Sequence, residues 1–355
     1  IRRASPTCAA IISTYRRKYV VELVLVLPPR DASALTGPLR VSWGEAANSE
    51  DGAYVQEEVL TLTNEHMQMH ELTVDARRRR GGKRRKSGGG DMKEEAMVEE
   101  AYNETAAVPL LWLRVDPSLE WACRVAWSGR PREPLWSGMP EGMVRDQLQL
   151  DRCVASQLDA VAALTTFPTL TAINTLEVAL RDDEVFYRVR AAAAAALCAL
   201  VAPATNYEAL HRLIKYARER LYDNGAVRPN DFTDLGEYFV TKAVIEAIGG
   251  AQTAEGTTPP KSLDLLHELL DENCNEGNEY DDSHYVAALL RALGSTRPAS
   301  AAAASRAAAQ IRRHVHLDRL RRSHARVLTR SALQALVTLE LGGLAAPSWA
   351  LYEEH

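Results

Sequence analysis

The stretch LRDDEVFYRVRAAAAAALCAL, from Leu180 to Leu200, has the pattern of one helix end, a short acidic turn and a second, alanine-rich helix. Val189, Ala193, Ala196 and Leu200 recur at the spacing that places them on one face of that second helix. Alanines on this face allow neighbouring helices to approach closely, and an acidic residue of the turn is expected to cap the second helix. Because an isolated helix pair cannot bury its apolar face, the stretch predicts a stack of pairs, as in a HEAT array.

The same helical period extends on both sides of this stretch, from about Glu141 to residue 345. Pro168 and Pro203 separate successive apolar stripes, since proline breaks a helix interior. Further stripes consist of Leu150, Val154, Leu158 and Val161; of Ile173, Leu176 and Leu180; and of Leu210, Ile214, Ala217 and Leu221. Later helices are predicted at Val240–Ile248, Leu263–Leu270, Val286–Leu293, Ala301–Val315, Leu317–Leu328 and Leu333–Leu339. Pairs recur at roughly 40 residues, which predicts an α-solenoid of HEAT or armadillo type over 141–345.

Residues 1–117 show the features of β structure instead. Runs rich in β-branched residues predict strands at Ala10–Thr14, Tyr19–Leu27, Leu39–Trp43, Val55–Leu62, His70–Val74 and Leu110–Val115. Residues 118–140 form a predicted linker, in which Trp121, Trp127 and Trp136 are expected to dock at a domain junction. The predicted fold class is therefore α+β in two domains, a small N-terminal β-sandwich and a C-terminal α-solenoid.

A charged insertion interrupts the β domain over residues 76–106, which we predict to be a disordered loop. It begins with a basic run and continues through three glycines into an acidic stretch, Asp91–Glu104. The basic residues are candidates for DNA binding or nuclear localisation, with a solubilising insertion as the alternative. They are Arg77, Arg78, Arg79, Arg80, Lys83, Arg84, Arg85 and Lys86. A second arginine-rich stretch, Arg306–Arg330, is expected to be a charged outer face or a protein-docking ridge, with a nucleic-acid site as the alternative.

Composition and charge exclude several classes of protein. The hydrophobic fraction of 46% is that of a globular chain, and the net charge of −5 by itself indicates neither nucleic acid nor membrane as partner. No apolar run approaches the length of a membrane span. The five cysteines are scattered, which favours free, buried thiols in a reducing compartment. The first residue falls within a strand pattern, so we expect the chain to be a piece of a longer protein.

Templates for catalysis and for metal or cofactor binding are not met. His66, His70 and Glu71 come nearest to a metal site, but the glutamate follows the second histidine. If this segment is a strand, residues four apart are separated by about 13 Å, too far to share an ion. Gly81-Gly82-Lys83 lacks the upstream glycine of a phosphate-binding loop. We therefore expect no catalytic residues, no metal, no cofactor and no small-molecule substrate.

Four segments of the sequence carry a family resemblance. They are LLWLRVDP at Leu110–Pro117, QLQLDRCVASQ at Gln147–Gln157, FPT at Phe167–Thr169 and FYRVR at Phe186–Arg190. Together with the order of a β domain, a basic insertion and helical repeats, they resemble the aminopeptidase-like subunits of the transcription factor TFIID, the TBP-associated factor 2 family. The resemblance covers most of the chain, is strongest over Leu110–Arg190 and is not traceable beyond Leu293.

The resemblance implies a fold and a role. This family is related to M1 zinc aminopeptidases but is held to be catalytically silent, and the chain would correspond to the third and fourth aminopeptidase-like domains. A nuclear scaffold that supports recognition of the core promoter at the initiator, and assembly of the RNA polymerase II preinitiation complex, is therefore expected. Its implied partners are TBP-associated factors 1 and 8 and, as a further candidate, core-promoter DNA. Two alternatives stay open: the C-terminal domains of an active M1 aminopeptidase, and a HEAT-repeat adaptor or transport protein.

Overall fold

The computed structural model describes residues 7–15, 20–26, 36–46, 53–63, 65, 67–73, 110–121, 124–126 and 139–354. The predicted insertion 76–106 and its eight basic candidates lie outside the described residues. The chain forms two compact units, Ile1–Thr166 and Phe167–His355. The sequence predicts a boundary at the linker 118–140. The boundary between the two units lies later in the chain, between Thr166 and Phe167.

The first unit contains two β-sheets. Its strands are β1 (Thr7–Tyr15), β2 (Val20–Val26), β3 (Gly37–Ala46), β4 (Ala53–Leu62), β5 (Met67–Thr73), β6 (Leu110–Val115) and β7 (Arg124–Ala126). One sheet has the order β5-β2-β1-β7 and the other the order β4-β3-β6. All pairings are antiparallel except that of β1 with β7, which is parallel. The six predicted strands are all present, and the predicted small β-sandwich is confirmed.

The predicted linker is wrong in one respect, because strand β7 lies within it and pairs with β1. Trp121, in the same segment, packs back onto the sheet of β3. Its indole Nε1 donates a hydrogen bond to the Pro38 carbonyl at 3.0 Å, and its backbone N–H donates to the Asp116 carboxylate at 2.9 Å. This tryptophan therefore seals the β domain itself; Trp127 and Trp136 lie outside the described residues.

Buried leucines and tryptophans form the core of the β-sheets. Leu39, Val41 and Trp43 of β3 are buried, as alternation on one face requires. Gly44, next to a register shift, lies against the Trp112 ring of β6, where a Cβ atom would approach the ring to 2.5 Å. Helices α1 (Glu141–Leu150) and α2 (Val154–Leu164) complete this unit, and the Gln147 amide joins them by donating to the Ser156 carbonyl at 3.0 Å.

The second unit is a stack of antiparallel helix pairs. Its helices are α3 (Leu170–Arg181), α4 (Tyr187–Ala199), α5 (Glu208–Leu221), α6 (Leu235–Gly250), α7 (Pro260–Asp271), α8 (Ser283–Ser295), α9 (Ala301–Leu320), α10 (Val327–Leu341) and the short α11 (Trp349–Glu353). A two-stranded ribbon, Tyr222–Asp223 with Ala226–Val227, follows α5. Helices α4, α6, α8 and α10 pack in succession as one layer, and each of α3, α5, α7 and α9 packs on its sequence neighbour in that layer. The predicted α-solenoid is confirmed.

Small residues let the helices of this layer approach one another, as the alanine-rich stripe predicts. A Cβ atom on Gly249 of α6 would overlap the Ala292 carbonyl of α8, and one on Gly294 of α8 would overlap Ala335 of α10. Ala193 and Ala196 of α4 are buried in the same way. Close backbone approach, rather than large side chains, therefore sets the spacing within the layer.

Two local predictions about the helices are wrong. Helix α4 is preceded by Phe186, which makes no side-chain cap; Asp182 instead accepts from the Glu184 backbone N–H at 3.0 Å within the turn. The helix predicted at Leu317–Leu328 does not exist, because α9 ends at Leu320 and α10 begins at Val327.

A buried carboxylate fixes the break between α9 and α10. Asp318 accepts hydrogen bonds from the backbone N–H groups of Ser323, at 2.6 Å, and Thr329, at 3.2 Å. Ala325 and Arg326 then take positive φ values of 50° and 53°, which a helix does not permit. Leu317 and Leu320, which suggested a continuing apolar stripe, are exposed. The helical spacing of leucines is thus coincidental here.

Candidate interaction surface

Some arginines of the second basic stretch, Arg306–Arg330, make contacts within the solenoid. Arg312 donates to the Ser348 hydroxyl at 2.9 Å, and Arg319 forms an ion pair of 2.8 Å with Glu354. These arginines tie α9 to the α11 region, which is a structural role. Arg313, Arg322 and Arg330 of the same stretch take part in none of the salt bridges among the described residues.

Of the three residues considered for metal binding, the structure describes His70 and Glu71. His70 lies on strand β5, as the argument against a shared metal ion assumed. His66 lies outside the described residues. No group of three or more His, Cys, Asp or Glu side chains that could hold a metal occurs in the part of the chain that the structure describes. Of the described cysteines, Cys153 and Cys198 are half-buried and Cys274 is exposed, so the predicted burial of the thiols is wrong for Cys274. In the described residues, no helix is both long and apolar enough to cross a membrane.

An arginine inside the solenoid joins four helices. The guanidinium of Arg190 on α4 is almost fully buried. It donates to the Leu180 carbonyl of α3 at 3.0 Å and to the Tyr216 hydroxyl of α5 at 3.1 Å. It also donates to the Glu237 carboxylate of α6 at 2.7 Å. Asp183 of the preceding turn adds an ion pair of 3.0 Å. We call Arg190, Tyr216 and Glu237 the arginine node. It holds the N-terminal ends of α4 and α6 in fixed positions.

Electrostatics within the node keep its tyrosine neutral. The Tyr216 hydroxyl donates to the second oxygen of Glu237 at 3.0 Å. Burial, and then the negative charge of Glu237, raise the pKa of Tyr216 to about 12. The node therefore contains one guanidinium, one phenol donor and one carboxylate, with charges that balance. Such an arrangement is suited to fixing structure, and it offers no general base to a substrate.

Further ion pairs join the helices of the outer row, α3, α5 and α7. Glu177 of α3 binds Arg212 of α5 at 2.5 Å, and Arg218 of α5 binds the Glu268 carboxylate of α7 through both of its terminal nitrogens, at 2.9 and 2.7 Å. The bidentate contact between Arg218 and Glu268 has the geometry that gives arginine pairs directional strength. They lie on side chains that keep some solvent contact, so they contribute register more than stability.

Aromatic side chains line the edge where α4, α6 and α8 begin. Consecutive ring centroids lie 4.7, 5.5, 6.1, 5.2 and 5.7 Å apart along this line. The residues are, in spatial order, Phe186, Tyr187, Phe239, Tyr238, Phe232 and Tyr280. We call this set the aromatic ridge. Phe186 and Phe239 are each 44% exposed. Tyr187, which lies between them, stacks on the ring of Phe239.

Polar contacts in the loops support the outer end of the ridge. The Asn278 amide donates to the Asn230 carbonyl at 3.0 Å, which joins the loop before α8 to the loop before α6. Asn273 donates to Asp282 at 2.7 Å, and Asn275 donates to the Tyr280 carbonyl at 2.8 Å. These bonds fix the backbone on which Phe232 and Tyr280 stand. Because amide side chains supply all of them, the loops are held without an apolar core of their own.

The buried arginine node and the exposed aromatic ridge are the features that sequence reasoning missed. Arg190 directly follows Val189 of the predicted apolar stripe, on a helix that is otherwise rich in alanine, and a charged residue is buried there only if it is paired. That conflict was the available signal. Its partner Glu237 is 47 positions away in the chain, so the pairing itself is visible only in the fold.

Two family models match this chain, one for each part of the fold. The model described as "TAF2 Ig-like domain" matches residues 5–130, and the model described as "TAF2-like, TPR repeats" matches residues 142–343. The first match covers the β-sheets, and the second begins at α1 and ends just after α10. TPR and HEAT repeats are both stacked helix pairs, so the second description agrees with the observed solenoid.

The chain is also similar to proteins named transcription initiation factor TFIID subunit 2. It is 29% identical to that of Schizosaccharomyces pombe over 206 residues, which cover 57% of this chain and 16% of the relative. Against the Drosophila melanogaster protein the identity is 29%, with coverage of 53% and 15%, and against the Danio rerio protein it is 26%, with coverage of 66% and 20%. The chain therefore spans a fifth or less of the length of these relatives.

Among solved structures, the chain is similar to a crystal structure of Legionella pneumophila aminopeptidase A in complex with aspartic acid. The TM-score is 0.50 at 8% identity, and the match covers 94% of this chain and 35% of the aminopeptidase. At this identity the likeness concerns the fold alone. It supports the predicted aminopeptidase-like architecture.

Proposed function

Since this chain belongs to the family of TAF2-like proteins, we propose that it is a non-catalytic scaffold subunit of TFIID. In this role it supports recognition of the core promoter at the initiator and assembly of the RNA polymerase II preinitiation complex in the nucleus. The observation that carries the proposal is the pair of family matches, which cover the β domain and the solenoid in chain order. The partners we propose are other TFIID subunits, TBP-associated factors 1 and 8 among them.

The solenoid's construction supports a role in binding. A stack of helix pairs presents a long row of helix ends and faces, on which many side chains can contact a partner. The arginine node and the close helix approaches at Gly249 and Gly294 keep this row rigid. A rigid surface loses little conformational entropy when it binds, which favours affinity.

Residues of the second unit support the non-catalytic part of the proposal. The buried guanidinium of Arg190 is paired with Glu237, and the buried carboxylate of Asp318 accepts hydrogen bonds from Ser323 and Thr329. The pKa of Tyr216 is raised to about 12. A catalytic acid or base would need a pKa near the working pH and access to a substrate. The fold likeness to an aminopeptidase keeps the alternative of an active M1 enzyme in view, and an intact HExxH motif with its third ligand upstream would favour it.

Footprinting on promoter DNA tests the proposal. TFIID is purified from cells with normal and with depleted levels of the protein that carries this chain, and each preparation is bound to DNA with a TATA element and an initiator. We expect depletion to remove protection at the initiator and to spare protection at the TATA element. Identical footprints would contradict the promoter role.

A further inference from the structure

Several apolar side chains at the aromatic ridge are exposed to solvent. Phe186 and Phe239 keep 44% of their area in solvent, Tyr280 keeps 61% and Leu235, one helical turn before Phe239, keeps 57%. Residues four apart on a helix lie on one face, so Leu235 and Phe239 widen the same patch. Exposed apolar side chains grouped in this way mark a surface that binds another molecule.

The ridge is also held in place before any partner arrives. Gly236 at the start of α6 allows Tyr187 to pack closely, since a Cβ atom at that position would lie 3.3 Å from the Tyr187 Cβ. Tyr187 stands three residues before Arg190, and Phe239 two residues after Glu237, so the arginine node fixes both ring-bearing helix ends. Rigid aromatic anchors of this type dominate the binding energy of many protein interfaces.

Charge around the ridge selects the chemistry of the occupant. The loops 182–186, 228–234 and 272–282, which precede α4, α6 and α8, contain ten acidic residues and one basic residue. Several of these carboxylates accept backbone N–H donors, as Asp234 does from Glu237 at 3.1 Å and Asp281 does from Ser283 at 2.6 Å. Such bonds satisfy the oxygens but leave the negative charge in place. The edge therefore attracts cations and repels phosphates.

The ridge already binds cations from its own chain. The Lys242 ammonium lies 4.4 Å from the ring centroids of both Tyr238 and Phe239, and the Arg188 guanidinium lies 5.9 Å from the ring of Tyr187. Ring faces attract cations through their quadrupole, and arginine also stacks on them through its planar guanidinium. Phe239 already contacts Lys242 and Tyr187 through its ring. Phe186 and Tyr280, which are 44% and 61% exposed, offer the same chemistry to a side chain from outside.

We propose that the aromatic ridge and its acidic loops bind an arginine-bearing peptide segment of a partner protein, with guanidinium groups on the exposed rings and in ion pairs with the loop carboxylates. This inference rests on the proposed scaffold function, to which it adds a location and a class of partner. A nucleic acid is disfavoured, because the loops remain strongly acidic even though Asp183 is paired with Arg190 and Arg220.

Fluorescence anisotropy tests this with the whole 355-residue chain and a labelled 12-residue peptide that carries four arginines spaced by alanines. We expect saturable binding that weakens as salt rises. Replacement of the arginines by citrulline, which keeps the shape and removes the charge, should weaken binding at least about fivefold, as should the double substitution Phe186→Ala/Phe239→Ala. Trp349→Ala, which removes an exposed aromatic side chain at the α11 end, should leave binding unchanged.

Two checks keep the outcome decisive. Glu184→Gln/Glu279→Gln alters only exposed loop residues, so it should weaken binding even if the phenylalanine variant folds poorly. The proposal is overturned if the citrulline peptide binds as tightly as the arginine peptide, or if neither double variant weakens binding. It is also overturned if those variants weaken binding of a labelled oligonucleotide and not of the peptide. None of these measurements involves TFIID, so failure here is distinguishable from failure of the proposed function.

Discussion

Replacement of Arg190 by methionine should destabilise the solenoid substantially. The change leaves the Leu180 carbonyl without its donor in a site that is mostly buried. It also removes the closer of the two guanidinium groups paired with Glu237, which keeps only Arg220 at 3.8 Å. Breaking a buried pair in this way costs about 3 to 5 kcal/mol of folding free energy. Because the Glu237 side chain keeps 24% of its area in solvent, we expect a value near the lower end, about 3 kcal/mol.

Urea unfolding followed by circular dichroism at 222 nm measures this loss, since the second unit contributes most of the helix. Arg188→Met is the matched control, because Arg188 is exposed on the same helix, and its effect should be below about 0.5 kcal/mol. Arg190→Lys keeps the charge but cannot bridge several partners, so we expect an intermediate loss of about 2 kcal/mol. The double variant Arg190→Met/Glu237→Met should regain part of the stability, because no unpaired charge remains.

The reasoning would be refuted by either of two results. The first is a loss for Arg190→Met that matches the loss for Arg188→Met, which would mean that the buried contacts contribute nothing net. The second is strict additivity in the cycle of Arg190→Met and Glu237→Met, because residues in one hydrogen-bonded network are expected to couple. Equal m-values among the variants are required for the comparison.

Three further predictions concern other parts of the chain. Gly249→Ala should lower the free energy of unfolding by about 2 kcal/mol, because the new Cβ atom would overlap the Ala292 carbonyl. Gly142→Ala on α1, where a Cβ atom meets nothing within 4 Å, should raise it by up to about 1 kcal/mol. Thermal unfolding compares the two variants. Burial acts to raise the pKa of Asp318, but hydrogen bonds from Thr329 and Ser323 outweigh burial and lower that pKa. The carboxylate therefore stabilises the fold above the pKa of the unfolded state, and this stabilisation is lost as the pH falls through the pKa of the folded state. Asp318→Asn should therefore flatten the acid limb of the stability–pH curve, and an unchanged limb would contradict this. Replacing the basic residues of Arg77–Lys86 by serine should flatten the log–log salt slope of weak, non-specific DNA binding, which is about −0.9 per phosphate neutralised; an unchanged slope would redirect attention to Arg306–Arg330.

The fold class follows from patterns that operate over a few residues. Runs rich in β-branched residues predict the strands, and the alanine stripe of α4 predicts the solenoid because small residues matter only where helices touch. Short or irregular elements escape this logic. Strand β7 has three residues and gains its identity from pairing with β1, more than a hundred positions earlier. The break after Leu320 depends on Asp318, whose partners are identified only once the chain has turned.

The interaction surface was less accessible to prediction than the fold. Phe186, Phe232 and Tyr280 lie in loops, where aromatic residues carry no periodicity, and they meet only because α4, α6 and α8 begin at the same edge. The basic insertion, by contrast, is evident from sequence alone, since its charge density needs no fold to be recognised. It lies outside the described residues and its role stays a prediction.

The central claim, that this chain is part of a TFIID scaffold subunit, is tested most directly by affinity purification from nuclear extract with quantitative mass spectrometry. The account predicts that TBP and its associated factors co-purify with the tagged protein in near-stoichiometric amounts and survive moderate salt. Recovery of the protein without TBP, or in company with import cargoes, would contradict it.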